Sequence, residues 1–164
     1  MNIKLLSVDQ LNIVQDLAYS TWPDTFKDIL SSEQIEYMLE WMYNLETLRK
    51  QVESGHQFYI LEDNLVPKGF IGIELNYPKK NRLKIQKLYV LPHLQGAGIG
   101  KKLIEKAIQV ANQNGICELS LNVNRFNKAV TFYKHIGFTI SYEENIDIGN
   151  GYLMEDYVMS YKLN

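Results

Sequence analysis

Cysteine is nearly missing from this chain: Cys117 is the only one in 164 residues. An internal disulfide is therefore excluded. With three histidines beside it, none at metal-ligand spacing, no metal site is indicated. Proline is also scarce, at four residues, and no Pro-rich, low-complexity or linker-like stretch appears. Neither sign of charge dominates. Seventeen Lys and Arg stand against nineteen Asp and Glu, for a net charge of -2. That balance gives no electrostatic footprint for nucleic acid. The densest basic group, Lys79, Lys80, Arg82 and Lys84, reads as a solvated hairpin turn. No apolar run is long enough to cross a bilayer, and the opening MNIKLLSVDQ lacks the apolar core of a signal peptide. A cytoplasmic protein with no membrane partner is the expectation, with residues 1–164 as one domain around one core. Cys117 falls in a strand read over Ile116 to Val123, so a buried, inert thiol is expected.

What is present centres on Lys84 to Lys106, KIQKLYVLPHLQGAGIGKKLIEK. Ile85 to Leu91 is apolar and β-branched, and Pro92 bounds it, which predicts a strand. Gln95 to Gly100 is rich in glycine. From Lys101 to Gln113, Leu103, Ile104, Ala107, Ile108 and Ala111 recur on one helical face. A strand, a glycine turn and a helix aim free backbone N–H groups at one point. The helix dipole favours an anion there, and glycine lets the backbone approach it. A phosphate-bearing ligand is the expectation; a glycine-rich connection without ligand is the plain alternative.

A Walker loop requires G-x-x-x-x-G-K-[ST], but Gln95 stands at the first glycine and Lys102 at the Ser/Thr position. A dinucleotide fingerprint requires a third glycine where Lys101 stands. Gln95, Gly98 and Gly100 do satisfy Q-x-x-G-x-G. Downstream, Asn124, Asn127, Ala129, Tyr133, Gly137 and Phe138 satisfy N-x-x-N-x-A-x-x-x-Y-x-x-x-G-F. Together these resemble the two cofactor-facing motifs of the GNAT acyltransferases. The resemblance is clear over about residues 55–163 and looser before them. More loosely still, the N-terminal third resembles the bacterial spermidine/spermine N-acetyltransferases.

Elsewhere the chain reads in order as follows. Ile3 to Leu6 is a strand. Ser7 with Gln10 opens a helix that runs to about Ser20 and breaks at Trp22-Pro23, with Thr21 to Leu30 as a loop. Ser31 with Gln34 opens a second helix to about Tyr43, and Asn44 caps a third that Gly55 ends. His56 to Glu62 and Gly69 to Tyr77 pair through a turn around Asn64 and Pro67. Asn127 to Ile136 is a helix, and Phe138 to Asn145 pairs with Tyr152 to Leu163. The resemblance implies the GNAT fold: an α/β (α+β) domain whose seven-stranded sheet is mixed, mostly antiparallel, with helices on both faces.

The resemblance also implies the chemistry: acetyl transfer from acetyl-CoA to an amine, with no metal. Backbone groups of Gln95, Gly96, Ala97, Gly98, Ile99, Gly100 and Lys101 are expected to hold the pyrophosphate. Those of Leu88, Tyr89 and Val90 are expected to pair with the pantetheine arm. Asn124, Asn127 and Lys134 complete the expected cofactor set. Tyr133 matches the family's general acid toward the leaving thiolate; a phenol stays protonated at neutral pH. The central strand lacks the glutamate that many members use as base. Glu74 on the neighbouring strand is the candidate, with deprotonation through ordered water as the alternative. Aromatic Trp22, Tyr37, Trp41 and Tyr43 and acidic Glu33, Glu36, Glu40 and Asp156 suit a cationic acceptor, a small amine or polyamine. A peptide N-terminus or lysine is the second possibility, and a non-catalytic acyl-CoA sensor the third. A homodimer is left open.

Overall fold

The computed structural model describes residues 1–163; residue 164, the last of the expected domain, lies outside the described residues. Its strands are β1 (Asn2–Leu5), β2 (His56–Asp63), β3 (Val66–Leu75), β4 (Arg82–Val90), β5 (Glu118–Asn124), β6 (Thr139–Gly149) and β7 (Tyr152–Lys162). Its helices are α1 (Leu11–Phe26), α2 (Ser32–Tyr43), α3 (Leu45–Glu53), α4 (Ile99–Gln113) and α5 (Ala129–Ile136). The strands form one sheet in the order β1-β2-β3-β4-β5-β7-β6. Every neighbouring pair is antiparallel except β4 and β5, which run parallel because α4 connects them. This is the expected mixed α/β sheet.

Two cores sandwich the sheet, so helices cover both of its faces. One packs α4 and α5 against it: Leu103, Ile104, Ala107 and Ala111 recur at i, i+1, i+4 and i+8 and are buried on Ile71, Leu83, Leu119 and Leu121. Each buried Leu or Ile contributes about 1.5–3 kcal/mol. The other packs α1, α2 and α3 on the opposite face through Trp22, Phe26, Met38, Tyr43 and Leu48.

A one-residue bulge in β4 links these cores to the site. Gly72 faces Lys87 and Ile73 faces Ile85, which leaves Gln86 without a cross-strand partner. The bulge inverts the strand's parity. Before it, the odd-numbered Leu83 and Ile85 enter the α4 core. After it, the even-numbered Leu88 and Val90 pack there, while Tyr89 turns to the α1 side.

Local signals are met at several ends. Ser31 Oγ accepts the N–H of Gln34 at 3.1 Å, and Asn44 Oδ1 accepts that of Thr47 at 2.8 Å. Three expectations fail. The first helix does not break at Pro23 but continues to Phe26, where Lys27 N–H donates to Pro23 O at 3.0 Å. A proline inside a helix costs about 3 kcal/mol. Burial of Trp22 and Phe26, with ring centroids 4.6 Å apart, offsets it. Cys117 is exposed and precedes β5 rather than lying inside it. Ile116 takes the inward position, so its neighbour turns out. The β2–β3 turn also sits earlier than expected, at Asn64 and Leu65, both with positive φ, and Pro67 belongs to β3. No described helix is long and apolar enough to cross a membrane.

Candidate active site

Strands β4 and β5 pair only from Arg82–Glu118 to Ile85–Leu121. Both continue, to Val90 and Asn124, but past the bulge they separate. A cleft of about 1250 Å³ opens between them. Its lining includes the glycine loop, Leu88, Val90 and Tyr133, and Asn122 with Asp156.

The loop is built to leave donors free. Gly96 and Gly98 have φ of +88° and +83°, and a Cβ at either would meet no atom within 4 Å. Their N–H groups face no protein acceptor among the described residues. Those of Gln95 and Ala97 are already given to Pro92 O and Leu94 O. The first bond of α4 is Lys102 N–H to Gly98 O, so Ile99, Gly100 and Lys101 keep their N–H groups free as well. Gly100 has a different constraint: a Cβ there would stand 3.0 Å from the Phe132 ring. The free donors of the loop are thus five N–H groups, from Gly96 and Gly98 through Lys101, rather than the whole expected run from Gln95. Ala97 does not line the cleft.

In the gap, one edge of Leu88, Tyr89 and Val90 pairs with β3 and the other is open. Gln95 Nε2 reaches Val90 O at 3.5 Å. Asn124 Oδ1 accepts Phe126 N–H at 3.0 Å, and Asn127 Oδ1 accepts Ala129 N–H at 2.9 Å. Both amide oxygens are therefore engaged, and the amide NH2 groups remain for a ligand. Tyr133 is buried between Phe132 and Phe138, with ring centroids at 5.3 and 5.6 Å. Its hydroxyl has no protein partner among the described residues, and burial pushes the phenol pKa up, so it stays protonated. These parts suit a pyrophosphate followed by an extended arm.

The other expected residues lie elsewhere. Lys134 is exposed and outside the cleft lining. Glu74 is outside it too; its carboxylate accepts from Gln86 Nε2 at 2.9 Å and approaches His56 Nε2 at 3.0 Å. Beside it Lys87, buried, donates to Gln51 Oε1 at 2.9 Å and lies 5.5 Å from the Tyr43 and Phe58 ring centres. Burial lowers its pKa to about 8. Trp22 lines the cleft, whereas Tyr37, Trp41 and Tyr43 do not; Tyr37 donates to Ile148 O at 3.0 Å. Gln86, Lys128 and Phe126 line it and were not singled out by the sequence. Gln86 gave no signal because its exposure to the cleft depends on the bulge.

The family model described as an acetyltransferase (GNAT) domain matches residues 26–160. This chain belongs to the GNAT family. It is an N-acetyltransferase, and acetyl-CoA is the acetyl donor of the family. Among its relatives, the spermidine N(1)-acetyltransferase of Thermoplasma acidophilum is 29% identical over 163 residues, which span 94% of this chain and 96% of that one. An uncharacterized N-acetyltransferase of Methanocaldococcus jannaschii is 38% identical over 96 residues, 56% of this chain but only 42% of that protein. A solved structure, the PaiA N-acetyltransferase of T. acidophilum in complex with coenzyme A, superposes with a TM-score of 0.81 at 27% identity, covering 99% of this chain and all of that one.

Proposed function

We propose that this GNAT protein acetylates the primary amine of a small aliphatic amine or polyamine, by direct attack within a ternary complex. The observation that carries this reading is the mixed lining of one cleft: free N–H donors of the glycine loop, a buried carboxylate, Asp156, and the phenol of Tyr133. The likeness to an enzyme named for spermidine supports it.

Bound acetyl-CoA supplies the acyl group as a thioester. The N–H groups of Gly96, Gly98, Ile99, Gly100 and Lys101 hold its pyrophosphate, with Lys101 and Lys128 adding charge. Leu88, Tyr89 and Val90 align the arm through the open edge of β4. A backbone N–H there polarises the thioester carbonyl, a fixed donor worth about 3 kcal/mol in comparable sites. The amide NH2 groups of Asn124 and Asn127 hold the arm from the β5 side. The Tyr133 hydroxyl gives its proton to the departing sulfur.

The test is thiol release from acetyl-CoA against a panel of alkylamines, diamines, spermidine, amino acids and N-terminal peptides. Turnover strongest with the alkyl amines is expected. Turnover with peptides alone would shift the reading to a peptide-modifying enzyme. CoA binding without release would leave an acyl-CoA sensor.

A further inference from the structure

Asp156 is the most unusual charged residue of the cleft. It is 1% exposed, yet it lines the cavity. A carboxylate so buried needs a cation or several donors. Among the described residues its carboxylate has no ion-pair partner, and Asn122 Nδ2, 3.2 Å from Oδ2, is the only side-chain donor to that carboxylate.

Its neighbours sharpen the imbalance. Glu144 on β6 sits directly across from Asp156, so two carboxylates share one face of the sheet, an arrangement that is destabilising on its own. Arg125 reaches the Asp156 backbone, donating to Asp156 O at 3.4 Å, but not its carboxylate; it also donates to Asn145 Oδ1 at 2.9 Å and lies 3.8 Å from both Glu143 and Glu155. Lys84 on β4 is the remaining nearby cation, and its ammonium sits 5.5 Å from the Tyr77 ring centre. Burial, with the Glu144 charge added, raises the Asp156 pKa; Asn122, Lys84 and Arg125 oppose that rise. The adjoining cleft wall is apolar and flexible: Met38, Met42, Ile146 and Met154.

An unpaired buried carboxylate beside an alkyl-lined wall matches a primary ammonium on an aliphatic chain. We propose that Asp156 receives the ammonium of an alkylamine acceptor and takes the proton that frees its nitrogen for attack. This rests on the acetyltransferase reading above. The protons balance as follows. R–NH3+ gives one proton to the Asp156 carboxylate, and R–NH2 results. The nitrogen forms a bond to the acetyl carbon, and the carbon–sulfur bond breaks. Tyr133 protonates the sulfur and recovers a proton from the newly bonded nitrogen. Asp156 returns its proton to water. A carboxylate weakened as an acid by burial narrows the gap to the ammonium, whose own pKa falls as it leaves water.

The experiment compares wild type with Asp156→Asn and Asp156→Glu, using butylamine and trifluoroethylamine, which is uncharged at neutral pH. For Asp156→Asn with butylamine, kcat/KM at pH 7 should fall about 100-fold, the scale of a lost general base. Most of that loss should disappear near pH 10, where the free amine is abundant. With trifluoroethylamine the loss should be small at every pH. Calorimetry on the CoA-loaded protein should show weaker butylamine binding and unchanged CoA affinity. Asp156→Glu, which keeps the charge, should retain the wild-type pH profile at reduced rate, so the outcome does not hang on one variant folding. A loss equal at all pH values and for both amines would make Asp156 merely structural and overturn the proposal. So would wild-type rates in Asp156→Asn. No thiol release from the wild type with any amine would instead overturn the acetyltransferase reading on which it stands.

Discussion

Gln86, from the bulge in β4, donates a hydrogen bond of 2.9 Å to the carboxylate of Glu74 on β3. The same oxygen approaches His56 Nε2 at 3.0 Å. Gln86 lines the cleft, but Glu74 behind it does not, and the Glu74 carboxylate is already engaged by two partners. Glu74→Gln should change the acetylation rate by less than about threefold, against roughly 100-fold or more for loss of a general base. Steady-state rates between pH 6 and 9 check this; a large loss with an altered pH profile would return the base role to Glu74.

Gly98 caps α4 at φ +83°, with open space where a Cβ would go. Gly98→Asp meets no clash and strains the backbone by about 1–2 kcal/mol at this positive φ, which Asp tolerates better than most residues. It should still fold, but it places a carboxylate among the free N–H groups of the loop. Like-charge contact of that kind costs several kcal/mol, so CoA affinity should fall by about 100-fold or more. Calorimetric titration with CoA reads this directly, and unchanged affinity would refute the loop assignment.

Tyr133 packs by its ring and presents a hydroxyl without protein partner among the described residues. Tyr133→Phe keeps the ring contacts with Phe132 and Phe138 and removes only the proton donor. Turnover should drop about 100-fold while acetyl-CoA affinity stays within about twofold. A rate near wild type would remove the acid role.

Lys87 titrates near 8 in the folded protein, below the roughly 10.4 of an unfolded lysine. Between those values the unfolded chain binds more protons, so this residue's contribution to stability rises with pH across that window. Lys87→Met removes the buried charge, and half-buried Gln51 can turn its freed acceptor to water. The variant should melt higher than wild type at pH 7, by about 1–3 kcal/mol of stability, and the gain should shrink toward pH 10. Thermal melts at the two pH values test it; a gain independent of pH would mean the charge is not what destabilises.

Much of this protein was legible in its sequence because the signals are local. The glycines of the loop, the Ser31 and Asn44 caps and the helical period of α4 each act within a few residues. So do the order of the elements and the two motifs carrying Tyr133, Asn124 and Asn127. What only the tertiary structure decided depends on residues far apart in the chain. Pro23 stays inside α1 because Trp22 and Phe26 are buried against Tyr89, more than sixty positions later. The bulge at Gln86 arises from pairing with β3, and it alone reverses which side chains of β4 face each core. Glu74 and Asp156 look alike in the sequence, as acidic residues on strands. Register binds the first to Gln86 and His56 and sets the second, across from Glu144, in the cleft. Propensity and turn chemistry specify elements one at a time, whereas strand register and shared burial decide which carboxylate lines the cleft.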